Sequence, residues 1–159
     1  MIVSSAFAGS AFSADISKQR SHDFTSCYAG VATAIQFSNT NFGATLEHTG
    51  AIFSSPPGSI FDHMTFHCLG SQLSFGGKVS RESACETIDR DGDKTFNHNW
   101  TSSDGKLNHE LLASTGKHEG IEFSSTVQNL GPFPTVKPGA YQGCIRESGT
   151  YKVKWFTTS

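Results

Sequence analysis

The sequence predicts an antiparallel all-β domain that closes as a sandwich or a small barrel. Three observations predict it. The chain is rich in Ser, Thr and Gly, with only 36% apolar and 16% charged residues. That excludes a helical bundle, which needs Ala, Leu, Glu and Lys. It nevertheless holds 13 Phe, 3 Tyr and 2 Trp, too many core-formers for a disordered chain. Finally, short strand-like runs recur every 10–15 residues between Gly, Pro, Asn and Asp punctuation, and no long helical period interrupts them.

Taken in order, Ser21 to Phe37 and Gly43 to Phe53 read as strands, and Pro56-Pro57-Gly58 as a turn. Ile60 to Leu69 and Lys78 to Ile88 read as a hairpin around Gly76-Gly77. Asp89-Arg90-Asp91-Gly92-Asp93 turns the chain into Lys94 to Trp100, and Asp104-Gly105 marks the next turn. Leu107 to Leu112 is the best helical candidate, one or two turns long. Ile121 to Val127 is a strand and Pro132 to Pro138 a loop. Tyr141 to Ile145 and Thr150 to Phe156 close the chain as two strands. A chain of 159 residues builds one domain of this kind. We place that domain over residues 15–159.

The formal net charge is −2, and the 12 Lys and Arg are scattered. Nucleic-acid binding needs a clustered basic footprint, so that partner is excluded. No run of about 20 apolar residues predicts a membrane-spanning helix. Residues 1–14 end in Phe12-Ser13-Ala14, which reads as a signal-peptide remnant or a flexible tail. The four cysteines (27, 68, 85 and 144) lie 41, 17 and 59 apart with no CxxC. They fit no compact zinc module and read as two disulfides of a periplasmic or secreted protein, with three connectivities open.

Several motifs invite chemistry. The Asp89–Asp93 run fails as an EF-hand, because Gly falls at its fourth position and Trp100 at its twelfth. A capped hairpin explains it, and a looser three-carboxylate cation site is the alternative. Seven histidines suggest acid–base work, but there is no HExxH. His63 and His67, placed on one strand, would stand about 13 Å apart, too far to share an ion. Asp62 and His63 would point to opposite faces. A single inward His acting near neutrality is the stronger prospect. GxSxG, GxGxxG and the Walker loop are absent, and a Cys–His nucleophile would need a free thiol.

The segment Leu112-Ala113-Ser114-Thr115-Gly116-Lys117-His118-Glu119-Gly120-Ile121 resembles the glycine-threonine-glycine-lysine-aromatic segment of the allene oxide cyclase and dirigent barrel superfamily. Ser114 stands where that family usually has Gly, and His118 where it has Phe or Tyr. Cys85 followed by Asp89 to Lys94 is similar to small bacterial relatives of that barrel. Pro138-Gly139 to Gly143-Cys144 and Gly149-Thr150-Tyr151 are similar to its closing strands, so the resemblance covers roughly residues 60–154. His22-Asp23 is similar to the His-Asp pair on the first strand of plant dirigent proteins, where the Asp is functional.

The resemblance implies an eight-stranded, lipocalin-like antiparallel barrel with a central apolar cavity. It also implies a cofactor-free isomerase, lyase or cyclase acting on a small hydrophobic molecule, such as a terpenoid or fatty-acid-derived epoxide. His63 is then the candidate acid, Asp23 or Asp89 the cation-stabilising carboxylate, and Tyr28 a hydrogen-bond donor. Phe53, Met64, Phe66, Phe75, Phe96, Trp100 and Phe123 are the candidate walls. No cofactor and no metal are expected, and homo-oligomerisation stays open. A non-catalytic carrier barrel and a cation-binding surface protein are the alternatives.

Overall fold

The computed structural model describes residues 19–102, 104–131 and 133–153. Residues 1–14, read above as a leader remnant or tail, lie outside the described residues. Eight strands form one antiparallel sheet: β1 (Gln19–Gln36), β2 (Phe42–Ser54), β3 (Met64–Phe75), β4 (Lys78–Ile88), β5 (Lys94–Thr101), β6 (Leu107–Ser114), β7 (Glu122–Asn129) and β8 (Ala140–Lys152). The spatial order is β6-β5-β4-β3-β2-β1-β8-β7. The sheet curls into a nearly closed barrel, the architecture implied by the resemblance.

No ladder joins β6 to β7 among the described residues. The seam is bridged instead by side chains, with the His109 ring stacked on Phe123 at 4.8 Å between centroids.

Strand boundaries follow turn chemistry. β3 and β4 meet at Gly76-Gly77, both at positive φ, and pair from Phe75↔Lys78 to Thr65↔Ile88. The Asp89 carboxylate accepts the amides of Asp91 and Asp93 at 2.8 and 3.0 Å, while Gly92 adopts φ 89°. That is the side-chain capping expected of an Asp-initiated turn. Gly116 sits at φ 54°, and a Cβ there would lie within 2.4 Å of three Asp93 side-chain atoms. This explains the glycine after Thr115.

Three expectations change. Leu107 to Leu112 lies on a strand rather than a helix: its ladder runs from Thr101↔Leu107 to Thr95↔Ser114, with a register shift between Phe96 and Asn97. Tertiary pairing overrides its weak helical pattern. The two closing strands are one, because β8 pairs continuously with β1 from Val31↔Ala140 to Gln19↔Lys152 through Gly143 and Gly149. The third strand begins at Met64, so His63 stands in the preceding turn at φ 59°. Off the strand, its Nδ1 reaches the neighbouring Asp62 carboxylate at 2.9 Å; the two do not diverge.

Both predicted disulfides form, as Cys27–Cys144 and Cys68–Cys85, consistent with an extracellular or periplasmic protein. Each joins directly opposed residues, on β1 and β8 and on β3 and β4 respectively. Side-chain alternation sends the first to the outer face and the second into the barrel. No helix among the described residues is long and apolar enough to cross a membrane.

The packed core occupies one end. Phe24, Ile52, Phe61, Met64, Ile121, Tyr151 and Val153 form it. All three connections at that end insert buried side chains: Phe61 and Asp62 from 55–63, Asp89 from 89–93, and His118 and Ile121 from 115–121. At the opposite end the connections 37–41, 76–77, 102–106 and 130–139 bury no described side chain. The barrel therefore has a plugged end and an unplugged one.

Candidate interior site

A cavity of about 210 Å³ occupies the barrel interior above the packed end. An eight-stranded barrel is wide enough to hold one small ligand. Its walls follow strand alternation. Along β1, His22, Phe24, Ser26 and Tyr28 face in, while Asp23 faces out. Phe24, Phe61, Phe66, Phe123, Met64 and Ile52 make apolar walls, whereas Ser83, Thr87, Thr95, Asn97 and Asn99 line the β4–β5 side. The cavity is thus amphipathic rather than uniformly apolar. Gly50 makes room for one wall, since a Cβ there would lie 2.4 Å from Phe66 Cζ.

His22 is the chemically distinctive group. It is 5% exposed and borders the cavity, yet neither ring nitrogen has a hydrogen-bond partner. Phe24 stacks on it at 5.4 Å, Phe61 meets it edge-on at 5.5 Å and Tyr151 lies at 6.2 Å. The Glu147 carboxylate stands 3.9 Å from Nε2 and accepts the Ser125 hydroxyl at 2.6 Å. Burial is the main influence on His22 and lowers its pKa; Glu147 and Asp23 oppose this, and His109 adds to it. The ring is a neutral base with a carboxylate beside it, ready to stabilise the imidazolium. A buried group with unmet hydrogen bonds in a cavity wall is a candidate for contact with a ligand.

A second polar group lies farther from the plug. His48 Nδ1 is hydrogen-bonded to Tyr141 Oη at 2.9 Å, with the Tyr28 ring 4.9 Å away. Burial, followed by the charge of Arg81, lowers His48 to about 4, and burial raises the Tyr141 hydroxyl. His48, Cys68 and Cys85 bring ligand atoms within 4.8 Å of one another. Both sulfurs are consumed in the disulfide, so this trio offers no thiolate to a metal. Asn99 Nδ2 donates to Cys85 Sγ at 3.2 Å.

The sequence-derived candidates divide. Tyr28, Met64, Phe66, Trp100 and Phe123 border the cavity, Trp100 from its edge, where the indole stacks on His98 at 4.9 Å. Phe53, Phe75 and Phe96 are 50%, 69% and 42% exposed, and the two-residue period turns them to the outer face. His63 is exposed beside Asp62 and does not reach the cavity; Phe53 meets it edge-on at 5.8 Å. Asp23 faces out and accepts Arg146 in a two-point ion pair, at 2.9 Å to Nε and 2.5 Å to Nη2. That hydrogen bonding holds its carboxyl below the usual range.

Asp89 is buried at the plugged end. It receives Lys117 Nζ at 2.8 Å and His118 Nε2 at 2.9 Å. Burial by itself would raise it, but these bonds and the two turn amides outweigh burial and hold it near 2. Lys117 also contacts Asp91 at 2.5 Å, and its amide donates to Asp93 at 3.0 Å. Of the three carboxylates considered for a cation, two therefore hold the Lys117 ammonium and the third its backbone amide.

Sequence reasoning passed over His22, Glu147, His48 and Arg81 as site residues. Strand parity was the signal for the first: His22 shares its face with Phe24, Ser26 and Tyr28, and Asp23 does not. Glu147 became visible only once β8 was one strand with a fixed register beside β1. Comparison with protein-family models and with curated proteins finds no match. The functional reading therefore rests on the geometry of the barrel interior.

Proposed function

We propose that this protein is a cofactor-independent isomerase or lyase whose substrate is a small amphipathic molecule held inside the barrel. The observation that supports this best is His22: a neutral imidazole in the cavity wall, with both nitrogens unpartnered and a carboxylate 3.9 Å away. A base with a depressed pKa suits proton abstraction better than acid-assisted ring opening. The substrate's hydrocarbon part lies against Phe24, Phe66 and Phe123. Its oxygen faces Asn97 and Asn99, whose amides stabilise developing negative charge.

Both simplest reactions of such a site are isomerisations. In a β,γ-unsaturated ketone, His22 removes a proton from the carbon between the carbonyl and the C=C, the charge moves to oxygen, and the imidazolium returns the proton to the far alkene carbon, so the C=C shifts into conjugation. In an epoxide, His22 removes a proton from the carbon beside the ring. A C=C bond forms, the C–O bond breaks, and the oxygen takes the proton from the imidazolium to give an allylic alcohol. Glu147 stabilises the imidazolium in each case. The eight-stranded barrel keeps kinship with the allene oxide cyclase and dirigent barrels within this proposal, and secretion or periplasmic placement belongs to it as well.

The test is incubation in deuterium oxide with small epoxides and β,γ-unsaturated ketones, read by mass spectrometry. The proposal expects solvent deuterium on carbon in the conjugated enone product or conversion of the epoxide to its allylic alcohol, a loss of about a hundredfold or more in rate for His22→Gln, and no change for His63→Ala. Substrates that bind without exchange or turnover would assign the protein to the carrier class instead.

A further inference from the structure

We propose that the unplugged end of the barrel docks on an anionic lipid bilayer. The argument rests on how exposed apolar and charged side chains divide between the two ends. Scattered exposed apolar residues are ordinary; a contiguous set at one end is not.

All four connections at the unplugged end present a large apolar side chain in or beside the turn. Phe37 (91% exposed) does so between β1 and β2, Phe75 (69%) and Val79 between β3 and β4, and Leu107 after the 102–106 turn. Phe133 and Val136 (78%) do so between β7 and β8. At the plugged end, 55–63 and 115–121 turn Phe61 and Ile121 inward and 89–93 holds no apolar residue; Ile88 and Phe53, exposed beside those turns, are less exposed than Phe37, Phe75 and Val136.

Charge divides the same way. The unplugged end carries Lys78, Lys106 and Lys137, all exposed, against Asp104 alone. The plugged-end connections and the residues flanking them carry Asp62, Asp89, Asp91, Asp93, Glu119 and Glu122 against Arg90, Lys94 and Lys117. Aromatic tips interleaved with lysines match a bilayer interface: rings enter the headgroup boundary and ammonium groups stay among the phosphates. A second copy of the same end would set lysines against lysines, so charge complementarity favours the anionic surface. The barrel axis then stands toward the membrane with the acidic end facing away. The inference does not depend on catalysis in the cavity.

The experiment is flotation of the full chain with phosphatidylglycerol-containing vesicles and with pure phosphatidylcholine vesicles. The proposal expects co-flotation with the anionic vesicles, weakened by added salt, and little with the zwitterionic ones. Lys78→Glu with Lys137→Glu should weaken partitioning by at least about fivefold per lysine. Phe37→Ser with Phe75→Ser should abolish flotation, while Leu112→Ser, on the outer face toward the other end, should not. Thermal melts confirm that each variant is folded. Three outcomes would overturn the proposal: no flotation on either vesicle, flotation unchanged in the Phe37/Phe75 variant, or a dimer that this variant breaks.

Discussion

The two ends of this barrel are built on opposite terms. At one end the connections turn inward: Phe61 and Ile121 fill the bore, and Asp89, Lys117 and His118 lock the 89–93 turn to the 115–121 segment. At the other end the connections turn outward and leave Phe37, Phe75 and Val136 in solvent. The same strands run between them. The difference teaches that the packed core and the open cavity are segregated along the barrel axis. The packed end supplies the core energy, and the cavity lies above it.

Breaking the packed end should have the largest effect. Phe61→Ala removes a buried ring from the plug and should cost about 3–5 kcal/mol, measured by chemical denaturation. Asp89→Ala leaves the buried His118 nitrogen and two turn amides without their acceptor and removes one of the two carboxylates on the Lys117 ammonium. It should cost about 3 kcal/mol. If either loss is below about 1 kcal/mol, the segregation of stability to this end is wrong.

Acid should weaken the two regions in separate windows. His48, at about 4 against the ordinary 6.5, is buried neutral, so the unfolded chain binds the proton more readily. Its contribution is present above pH 6.5 and is lost as pH falls toward 4, up to about 3 kcal/mol. His22 is lowered as well and acts in the same direction. Asp89, lowered from 3.8 to about 2, contributes above pH 3.8 and loses that contribution as pH falls through about 2. The melting temperature should therefore drop in two steps on acidification. His48→Gln should flatten the upper step, and Asp89→Asn the lower one.

The smallest effect on stability belongs to the unplugged end. Phe37→Ser should change it by less than about 0.5 kcal/mol, because that side chain buries nothing in the free protein. A larger loss would mean that the end is packed in solution.

Much of the fold was legible in the sequence because turn residues punctuate it. The Asp89–Asp93 run and Asp104-Gly105 each end a strand within a residue or two of where expected, and Gly76-Gly77 makes the expected turn although the strand before it runs to Phe75 rather than Leu69. The Cys count led to two disulfides, but their pairing needed the register. What the sequence could not show was face. Phe53 and Phe66 look alike along the chain, yet one is outside and the other inside, because a strand reverses its side chain every residue and nothing local fixes the phase. His63 was misplaced when its turn was read as strand. His22 was overlooked beside Asp23, although only the residue sharing the parity of Phe24 enters the cavity. Glu147 comes to His22 from 125 positions away, through the β1–β8 ladder, which no local pattern announces.

The central claim of the proposed function is that the bore above the plug is a binding site. Its most direct test is titration of the protein with a naphthol-sized fluorescent probe, comparing Asn97→Trp with Phe53→Trp. Asn97 lines the cavity and Phe53 lies half-exposed on the outer face. The structure predicts saturable binding at one probe per chain, lost when the indole at 97 fills the bore and retained when it stands outside at 53. Equal binding by the two variants would contradict it.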